Sequence, residues 1–320
     1  MQIKSTIQLA NSLINSFHLL PAGFSQRTDL YKNSLEKLIA DKKAYWCYCT
    51  KEELDADKEE QRKDGHQAVI YRGPCRTLES APEGISERVI RFATPETKGS
   101  FTDLIRSEIN YDASLLGDFV IAKDIDEPLY NIANVIDDAA MEISHVIRGE
   151  DLLSSTPKQV LMYEALGLTP PIYAHLPLIL GDDKKKLSKR KNEISLLQYR
   201  DAGYLPEALM NFLALLGWHD SGDNEFFTHD ELVKAFSIDR VQKSGARFMT
   251  EKLHWLNREH LKKMDPKINA ARLMPFLEKA GVTSTEDEAA RFIVSEGYRG
   301  EILKEIAGEA TWLGKGIAPT

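Results

Sequence analysis

A lysine-rich segment carries the strongest chemical signal in this chain of 320 residues. Six of the eight residues from Lys184 to Lys191 are basic, and Ser188 lies between Lys186 and Lys189. Ammonium groups on a loop can neutralise the charge that develops on phosphates during phosphoryl or nucleotidyl transfer. A solvated basic turn is the commoner explanation of such a pattern. The apolar run 176–180 before it and a helical pattern after it favour a phosphate-binding loop.

The three cysteines form a second candidate site. Cys47, Cys49 and Cys75 lie close together in the sequence, and a charged helical pattern separates the last one from the first two. Thiolates at alternate positions of a turn suit a tetrahedral zinc ion better than a strained disulfide. His66 is the usual type of fourth ligand, and Tyr71 is a rarer type. Three thiols packed as small apolar side chains explain the residues equally well.

Composition bounds the class of protein. A hydrophobic content of 42% and a charged content of 28% are those of a water-soluble globular protein. The formal net charge of −8 excludes a globally basic nucleic-acid coat, so any polyanion must meet a local basic patch. The chain has no apolar run long enough to span a bilayer and no secretion-signal pattern, and we expect a cytoplasmic protein without a membrane partner.

The elements around the cysteines are predicted to be helices followed by strands. Residues 1–45 show two amphipathic helical patterns. Thr50 is a suitable N-cap for a charged helix that ends near Lys63. Residues 86–125 then alternate as in strands, at 88–93, 101–109 and 117–121.

A β-α-β unit is predicted around Arg148. Residues 144–147 form a strand, Thr156 caps a helix that ends at Gly167, and 176–180 form the next strand. Ligands of parallel sheets bind at the C-terminal ends of the strands, so Arg148 and the basic loop are expected to face one crevice. Beyond the loop the pattern predicts helices at 206–216, 228–236, 250–263 and after Pro266.

Residues 186–190, Lys-Leu-Ser-Lys-Arg, resemble the Lys-Met-Ser-Lys-Ser signature of class I aminoacyl-tRNA synthetases, in the form found in the glutamyl branch. The similarity to bacterial glutamyl-tRNA synthetases covers roughly residues 25–265. It includes the segments 116–120, 130–138, 145–151, 155–159, 174–178, 203–208 and 214–218. In combination these motifs are highly specific.

The resemblance implies a reaction and its partners. Glutamate and ATP, accompanied by Mg²⁺, would give glutamyl-adenylate, and the glutamyl group would pass to the 3′ end of tRNA(Glu). A monomer is expected. The resemblance assigns the ATP phosphates to Lys186, Ser188, Lys189 and Arg190, and the amino acid to Tyr130, Asn134 and Arg148.

Arg148 suits this role because its planar guanidinium binds a carboxylate through two parallel hydrogen bonds. The residues alone also allow a surface ion pair of Arg148 with Glu150 or Asp151. Asp151 occupies a position where the family often has an acidic residue near the nucleotide.

The resemblance also bears on the metal site. Some family members bind zinc through Cys-x-Cys and Tyr-x-x-x-Cys, which here are Cys47, Cys49, Tyr71 and Cys75. Others use a histidine two residues after the last cysteine, and that position is Thr77 in this chain. The resemblance thus implies one structural zinc ion, with Tyr71 and not His66 as the fourth ligand.

The implied fold is α/β: a partial Rossmann-like nucleotide-binding fold of class I synthetases with an inserted β-rich zinc and acceptor-end module. An α-helical stem-contact region and the start of an α-helical anticodon-binding domain follow. The predicted segments are a remnant of the first catalytic half (1–45), the inserted module (46–125), the second catalytic half (126–182), the ATP loop with the stem-contact region (183–265) and the anticodon-binding start (266–320).

One motif of the family is missing. None of the eight histidines has the His-x-Gly-His spacing that binds the adenosine side of ATP in class I synthetases. We therefore expect a fragment, or a chain with a mispredicted start, that does not form glutamyl-adenylate alone. Two alternatives are a short paralogue that glutamylates a modified tRNA base, and a non-catalytic RNA-binding protein derived from a synthetase.

Overall fold

The computed structural model describes residues 27–66, 68–78, 80–85, 88–181, 184, 195–295, 299–310 and 313. The first of the two helices predicted within 1–45 lies outside these residues. The chain divides into two compact units. The first comprises the described residues up to Thr102, with Glu108–Val146 and Leu152–Tyr173; the second comprises Asp103–Ser107, Ile147–Asp151 and the described residues from Ala174 onward. The predicted five-segment division stays a prediction.

Helices and strands alternate before the basic loop, and helices dominate after it. The helices are α1 (Thr28–Ala40), α2 (Lys51–Lys63), α3 (Tyr130–Ala140), α4 (Thr156–Leu166), α5 (Leu196–Ala202), α6 (Pro206–Leu215), α7 (His229–Ala235), α8 (Thr250–Lys263), α9 (Pro266–Lys279), α10 (Glu286–Ser295) and α11 (Leu303–Glu309). The strands are β1 (Ala44–Cys47), β2 (Val89–Phe92), β3 (Lys98–Asp103), β4 (Ser107–Asp112), β5 (Val120–Asp124), β6 (Glu127–Pro128), β7 (His145–Gly149), β8 (Ile172–Leu176), β9 (Ile179–Leu180) and β10 (Ala246–Arg247).

The strands form three sheets. One sheet has the order β1-β2-β5-β6 and is antiparallel, with Ala44 opposite Phe92 and Cys47 opposite Val89. A second sheet has the order β4-β3-β8-β7, and β9 pairs in parallel with β10. The predicted α/β class is confirmed.

The core of the first unit forms where the apolar stripe of α1 meets α3, α4 and the β1-β2-β5-β6 sheet. Tyr31, Leu35 and Leu38 recur at helical spacing and are almost fully buried. The Tyr31 hydroxyl donates to Asp137 of α3 at 2.9 Å, and the buried guanidinium of Arg27 pairs with the same carboxylate at 3.0 Å. A charge-assisted network therefore holds the start of α1 against α3.

The second unit is built mainly from the helices that follow the loop. Gly203, which ends α5, has a φ of 92°, and a Cβ there would lie 2.8 Å from the backbone nitrogen of Leu303. Asn257 of α8 accepts from the backbone N–H of Leu205 at 2.8 Å and donates to the carbonyl of Glu301 at 2.6 Å. The start of α6 and the start of α11 are thus held by one buried amide. No helix of the described residues is long and apolar enough to cross a membrane.

Three local predictions need correction. The strand predicted at 176–180 is β8 at 172–176 followed by the short β9, because Pro177 has no N–H for a sheet ladder. The strand predicted at 101–109 is two strands joined by a turn, in which the Asp103 carboxylate accepts the N–H groups of Ile105 and Arg106 at 2.9 and 2.8 Å. The N-cap of α4 is Ser155 and not Thr156.

Candidate active site and metal centre

Arg148 lies on β7, next to β8 in the sheet, and its guanidinium meets a buried histidine. Arg148 Nε donates to Nε2 of His175 at 3.2 Å. The other ring nitrogen of His175 lies 2.6 Å from Oδ2 of Asp103, and both His175 and Asp103 are almost fully buried. The side chain of Arg148 is therefore tied to a fixed polar group in the interior of the second unit.

An ion pair in this unit holds the segment that leads to the basic loop. The Glu150 carboxylate pairs with Arg106 and accepts the backbone N–H of Leu178 at 2.9 Å. Leu178 in turn accepts from the N–H of Ala246, next to the β9–β10 pair. Glu150 therefore serves as an anchor for residues 177–180, a role that the motif resemblance did not assign to it.

Tyr130 and Asn134 occupy successive turns of α3 in the first unit. Tyr130 begins the helix and has an exposed side chain, while Asn134 is half-buried. The buried amide of Gln159 on α4 donates to Oδ1 of Asn134 at 3.1 Å and to Oδ1 of Asn131 at 3.3 Å. Because Oδ1 of Asn134 accepts this bond, the amide of Asn134 has a fixed orientation with its NH₂ group directed away from Gln159.

The predicted ATP-loop residues Lys186, Ser188, Lys189 and Arg190 lie outside the described residues. Tyr130 and Asn134 belong to one unit and Arg148 to the other. Their roles as ATP and glutamate ligands stay predictions.

The three cysteines converge on one point of the first unit. Their sulfur atoms all lie within 4.8 Å of one another, with Cys49 and Cys75 only 3.5 Å apart. Sulfur ligands at about 2.3 Å from a tetrahedral zinc ion lie about 3.8 Å from one another, so the spacing fits this ion. Among the described residues this is the one group of His, Cys, Asp or Glu side chains close enough to hold a metal.

Tyr71 completes the cysteine group, and His66 does not. The Tyr71 hydroxyl lies 3.1 Å from the sulfur of Cys47 and 3.2 Å from that of Cys49. His66 is exposed at the end of α2 and is not a member of the cluster. The geometry supports Tyr71 as the fourth donor.

Several contacts fix the position of Tyr71. The buried Gln61 of α2 forms two hydrogen bonds with the backbone of the preceding residue, Ile70, at 2.7 and 3.0 Å. Gly117 has a φ of 58°, and a Cβ there would lie 3.0 Å from the backbone nitrogen of Tyr71. The guanidinium of Arg91 lies 3.8 Å from the centre of the Tyr71 ring. The same cation interacts with Cys47, where it offsets negative charge on the sulfur.

The acidities at this centre reflect burial and mutual hydrogen bonding. Burial raises the pKa of Cys49 to about 12, and burial together with hydrogen bonds to the thiols raises the pKa of the Tyr71 hydroxyl. Burial also opposes ionisation of Cys47, but hydrogen bonds from Tyr71 and Arg91 outweigh it and lower the pKa of that thiol. Cys47 is therefore more readily ionised than Cys49, and a bound divalent cation would displace the protons of the thiols.

Sequence reasoning did not identify Asp103, His175, Gln159 or Arg91 as parts of these sites. Asp103 and His175 are 72 residues apart in the chain, and Gln159 is 25 residues from Asn134. A polar residue inside an apolar strand or helix pattern was the available signal, because a buried polar group requires a partner.

Many curated proteins are similar to this chain in sequence. The chain matches the family model described as tRNA synthetases class I (E and Q), catalytic domain, over residues 6–255. The chain belongs to this family. A glutamate–tRNA ligase of Heliobacterium modesticaldum is 46% identical over 273 residues, which cover 83% of this chain and 55% of the relative. A glutamate–tRNA ligase of Halorhodospira halophila is 41% identical over 315 residues, which cover 95% of this chain and 66% of the relative.

Two solved structures of the family have a similar fold. A glutamate–tRNA ligase from Elizabethkingia meningosepticum, in complex with its amino acid, has a TM-score of 0.80 and 32% identity, covering 92% of this chain and 65% of that chain. Glutamate–tRNA synthetase from Elizabethkingia anophelis has a TM-score of 0.78 and 32% identity, and the match covers 90% of this chain and 64% of that chain. The chain thus spans between about half and two thirds of the length of these synthetases.

Proposed function

We propose that this chain acts in the ligation of glutamate to tRNA(Glu). The observation that carries the proposal is the similarity to glutamate–tRNA ligases, with 46% identity over 273 residues for one of them. Arg148, Asn134 and the cysteine group all lie within residues 6–255, the part of this chain that matches the family model.

The proposed reaction has two steps. A carboxylate oxygen of glutamate attacks the α-phosphorus of ATP, which forms the acyl-phosphate bond and releases pyrophosphate. A hydroxyl of the terminal ribose of tRNA then attacks the carbonyl carbon, and AMP leaves with the electron pair of the broken bond. Each step transfers an acyl or nucleotidyl group and needs no oxidant or reductant.

The protein would bind and orient the reactants in this scheme. Arg148 binds a carboxylate of glutamate, and Asn134 donates from an amide that Gln159 orients. Tyr130 adds a neutral hydrogen bond from its exposed position at the start of α3. Lys186, Ser188, Lys189 and Arg190 hold the ATP phosphates, and Mg²⁺ bound with ATP neutralises part of their charge.

The cysteine centre is proposed as a structural zinc site. Cys47, Cys49, Cys75 and Tyr71 would hold the ion, and no water position is needed to complete four ligands. The ion would cross-link β1, the start of α2 and the loop that contains Tyr71 and Cys75. We place this centre in an acceptor-end module, 46–125, of a monomeric cytoplasmic protein whose residues from 266 onward begin an anticodon-binding region.

The test of the proposed function is selective binding of L-glutamate. Isothermal titration of the purified chain should show saturable binding of L-glutamate, weaker binding of L-glutamine, and loss of L-glutamate binding in Arg148→Leu. Equal affinities for the two amino acids, or unchanged binding in Arg148→Leu, would contradict the role of Arg148 in glutamate recognition.

A second assay addresses catalysis. Because the chain contains no His-x-Gly-His spacing, we expect no glutamate-dependent exchange of pyrophosphate into ATP by the purified chain. Robust exchange would refute that expectation and would show that other residues bind the adenosine side of ATP.

A further inference from the structure

Arg148, His175 and Asp103 are joined by hydrogen bonds that run from the guanidinium to the ring and from the ring to the carboxylate. The Asp103 carboxylate accepts four hydrogen bonds. They come from the backbone N–H groups of Ile105 and Arg106, and from the backbone N–H and Nδ1 of His175, at 2.6 to 3.0 Å. Both oxygens of this buried carboxylate are therefore acceptors, one for the two backbone N–H groups of the turn and one for the two groups of His175.

The state of Asp103 determines the tautomer of His175. Oδ2 of Asp103 already accepts the backbone N–H of His175, and as an acceptor 2.6 Å from Nδ1 it requires that Nδ1 carry a proton. Arg148 presents an N–H to Nε2 at 3.2 Å, and an N–H donor requires that Nε2 offer a lone pair. Both requirements are met by the neutral Nδ1–H imidazole and by neither of the other two forms.

The charges around the ring agree with this state. The charged groups with the largest effects on His175 are Asp103, Arg148 and Arg106, and the last two are permanent cations. Burial and these cations outweigh the attraction of Asp103 and lower the pKa of His175 below its usual value. The imidazole is therefore neutral at pH 7 and can accept a hydrogen bond from Arg148.

We propose that His175, oriented by Asp103, is a positioning residue that holds Arg148 through its Nε–H. This inference rests on the proposed role of Arg148 as a glutamate ligand. Arginine can bind a carboxylate with two parallel bonds either through Nε and one terminal nitrogen, or through both terminal nitrogens. With Nε–H donated to His175, a substrate carboxylate binds the terminal edge, and the direction of its approach is set by the ring.

Two variants separate the two hydrogen bonds of the ring. His175→Gln can place an amide oxygen near the position of Nε2 and keeps an acceptor for Arg148. His175→Asn can place an amide nitrogen near the position of Nδ1 and keeps the bond to Asp103, but is too short to reach Arg148. The two side chains are similar in polarity, so a difference between them reports the contact with Arg148.

The first readout needs no substrate. Nitrogen-15 NMR of the full chain at pH 7 should show the Nδ1–H tautomer of His175, and the Nε–H signal of Arg148 should be protected from exchange. That protection should persist in His175→Gln and disappear in His175→Asn. An Nε2–H tautomer, an imidazolium at pH 7, or a protected Nε–H in His175→Asn would overturn the proposal.

The second readout is the affinity for L-glutamate. We expect the dissociation constant to rise about tenfold in His175→Asn and to stay within about threefold in His175→Gln, the size expected for one hydrogen bond to a charged group. Equal affinities in both variants would refute positioning, provided that thermal unfolding shows both to be folded. If the wild-type chain does not bind L-glutamate, the proposed function of Arg148 fails, while the NMR signals still decide whether His175 holds it.

Discussion

Removing one oxygen atom from the cysteine centre offers a clean test of the metal site. Tyr71→Phe deletes the hydroxyl that lies 3.1 and 3.2 Å from two sulfur atoms. It keeps the ring over which Arg91 lies, and it keeps the backbone bonds of the neighbouring residue to Gln61. The change therefore removes a ligand without removing the packing that positions it.

The expected loss follows from the number of ligands. Structural zinc sites are bound by about 10–16 kcal/mol, so one of four ligands contributes about 3 kcal/mol. Water can enter the vacated position beside the half-buried Tyr71, which recovers part of this energy. We expect the zinc dissociation constant of Tyr71→Phe to rise by about 10-fold to 100-fold, or about 1.4–2.7 kcal/mol.

Competition with a chromophoric zinc chelator measures this change on chelator-washed protein reloaded with one equivalent of zinc. Tyr48→Phe is the matched control, because Tyr48 lies between Cys47 and Cys49 in sequence and lines the same cavity as Tyr71. His66→Ala should also bind zinc like the wild type, and Cys75→Ser should lose most of the affinity.

Two results would refute the reasoning. Unchanged affinity in Tyr71→Phe together with a loss in His66→Ala would identify the histidine as the fourth ligand. No stoichiometric zinc uptake by the washed wild-type protein, as judged by elemental analysis, would show that the three thiols are packed as apolar side chains.

Three further predictions concern binding, pH and backbone conformation. Gln159→Leu should weaken L-glutamate binding about tenfold in titration calorimetry, because Asn134 loses the donor that orients its amide; unchanged affinity would contradict that role. Burial lowers the pKa of His175, so below about pH 6.5 the unfolded chain binds a proton that the native protein does not. The free energy of unfolding in urea should therefore decrease as the pH is lowered below about 6.5 in the wild type, and it should decrease less in His175→Gln. Gly203→Ala should lower the free energy of unfolding in urea by about 2 kcal/mol or more, because the residue has a φ of 92° and a Cβ would meet the backbone at the start of α11; Gly222→Ala, where a Cβ meets nothing within 4 Å, is the control and should change little.

The elements that sequence reasoning located best are those with local signals. Thr50 caps α2 with a reciprocal capping box, and α2 ends at Lys63 as predicted. The helix predicted at 250–263 is α8 with the same bounds. Caps and helical periodicity are interactions between residues three or four apart, so they can be recognised without knowledge of the fold.

The strands were located less well because strand ends depend on partners. The apolar run at 176–180 was predicted as one strand, yet its first residue ends β8, and Ile179 and Leu180 pair with Ala246 and Arg247. Nothing near the run indicates a partner more than sixty residues away. Residues 185–194, which include the Lys-Leu-Ser-Lys-Arg motif, lie outside the described residues.

The sequence by itself determined the α/β class, the long helices and the membership of a synthetase family, because these depend on periodicity and short motifs. It also determined which residues are candidates at the metal centre. Only the tertiary structure placed the Tyr71 hydroxyl beside the thiols and His66 outside the cluster. Only the structure joined Arg148 to His175 and Asp103. The physical reason is that burial turns distant polar residues into obligatory hydrogen-bond partners, and burial is a property of the fold and not of any short segment.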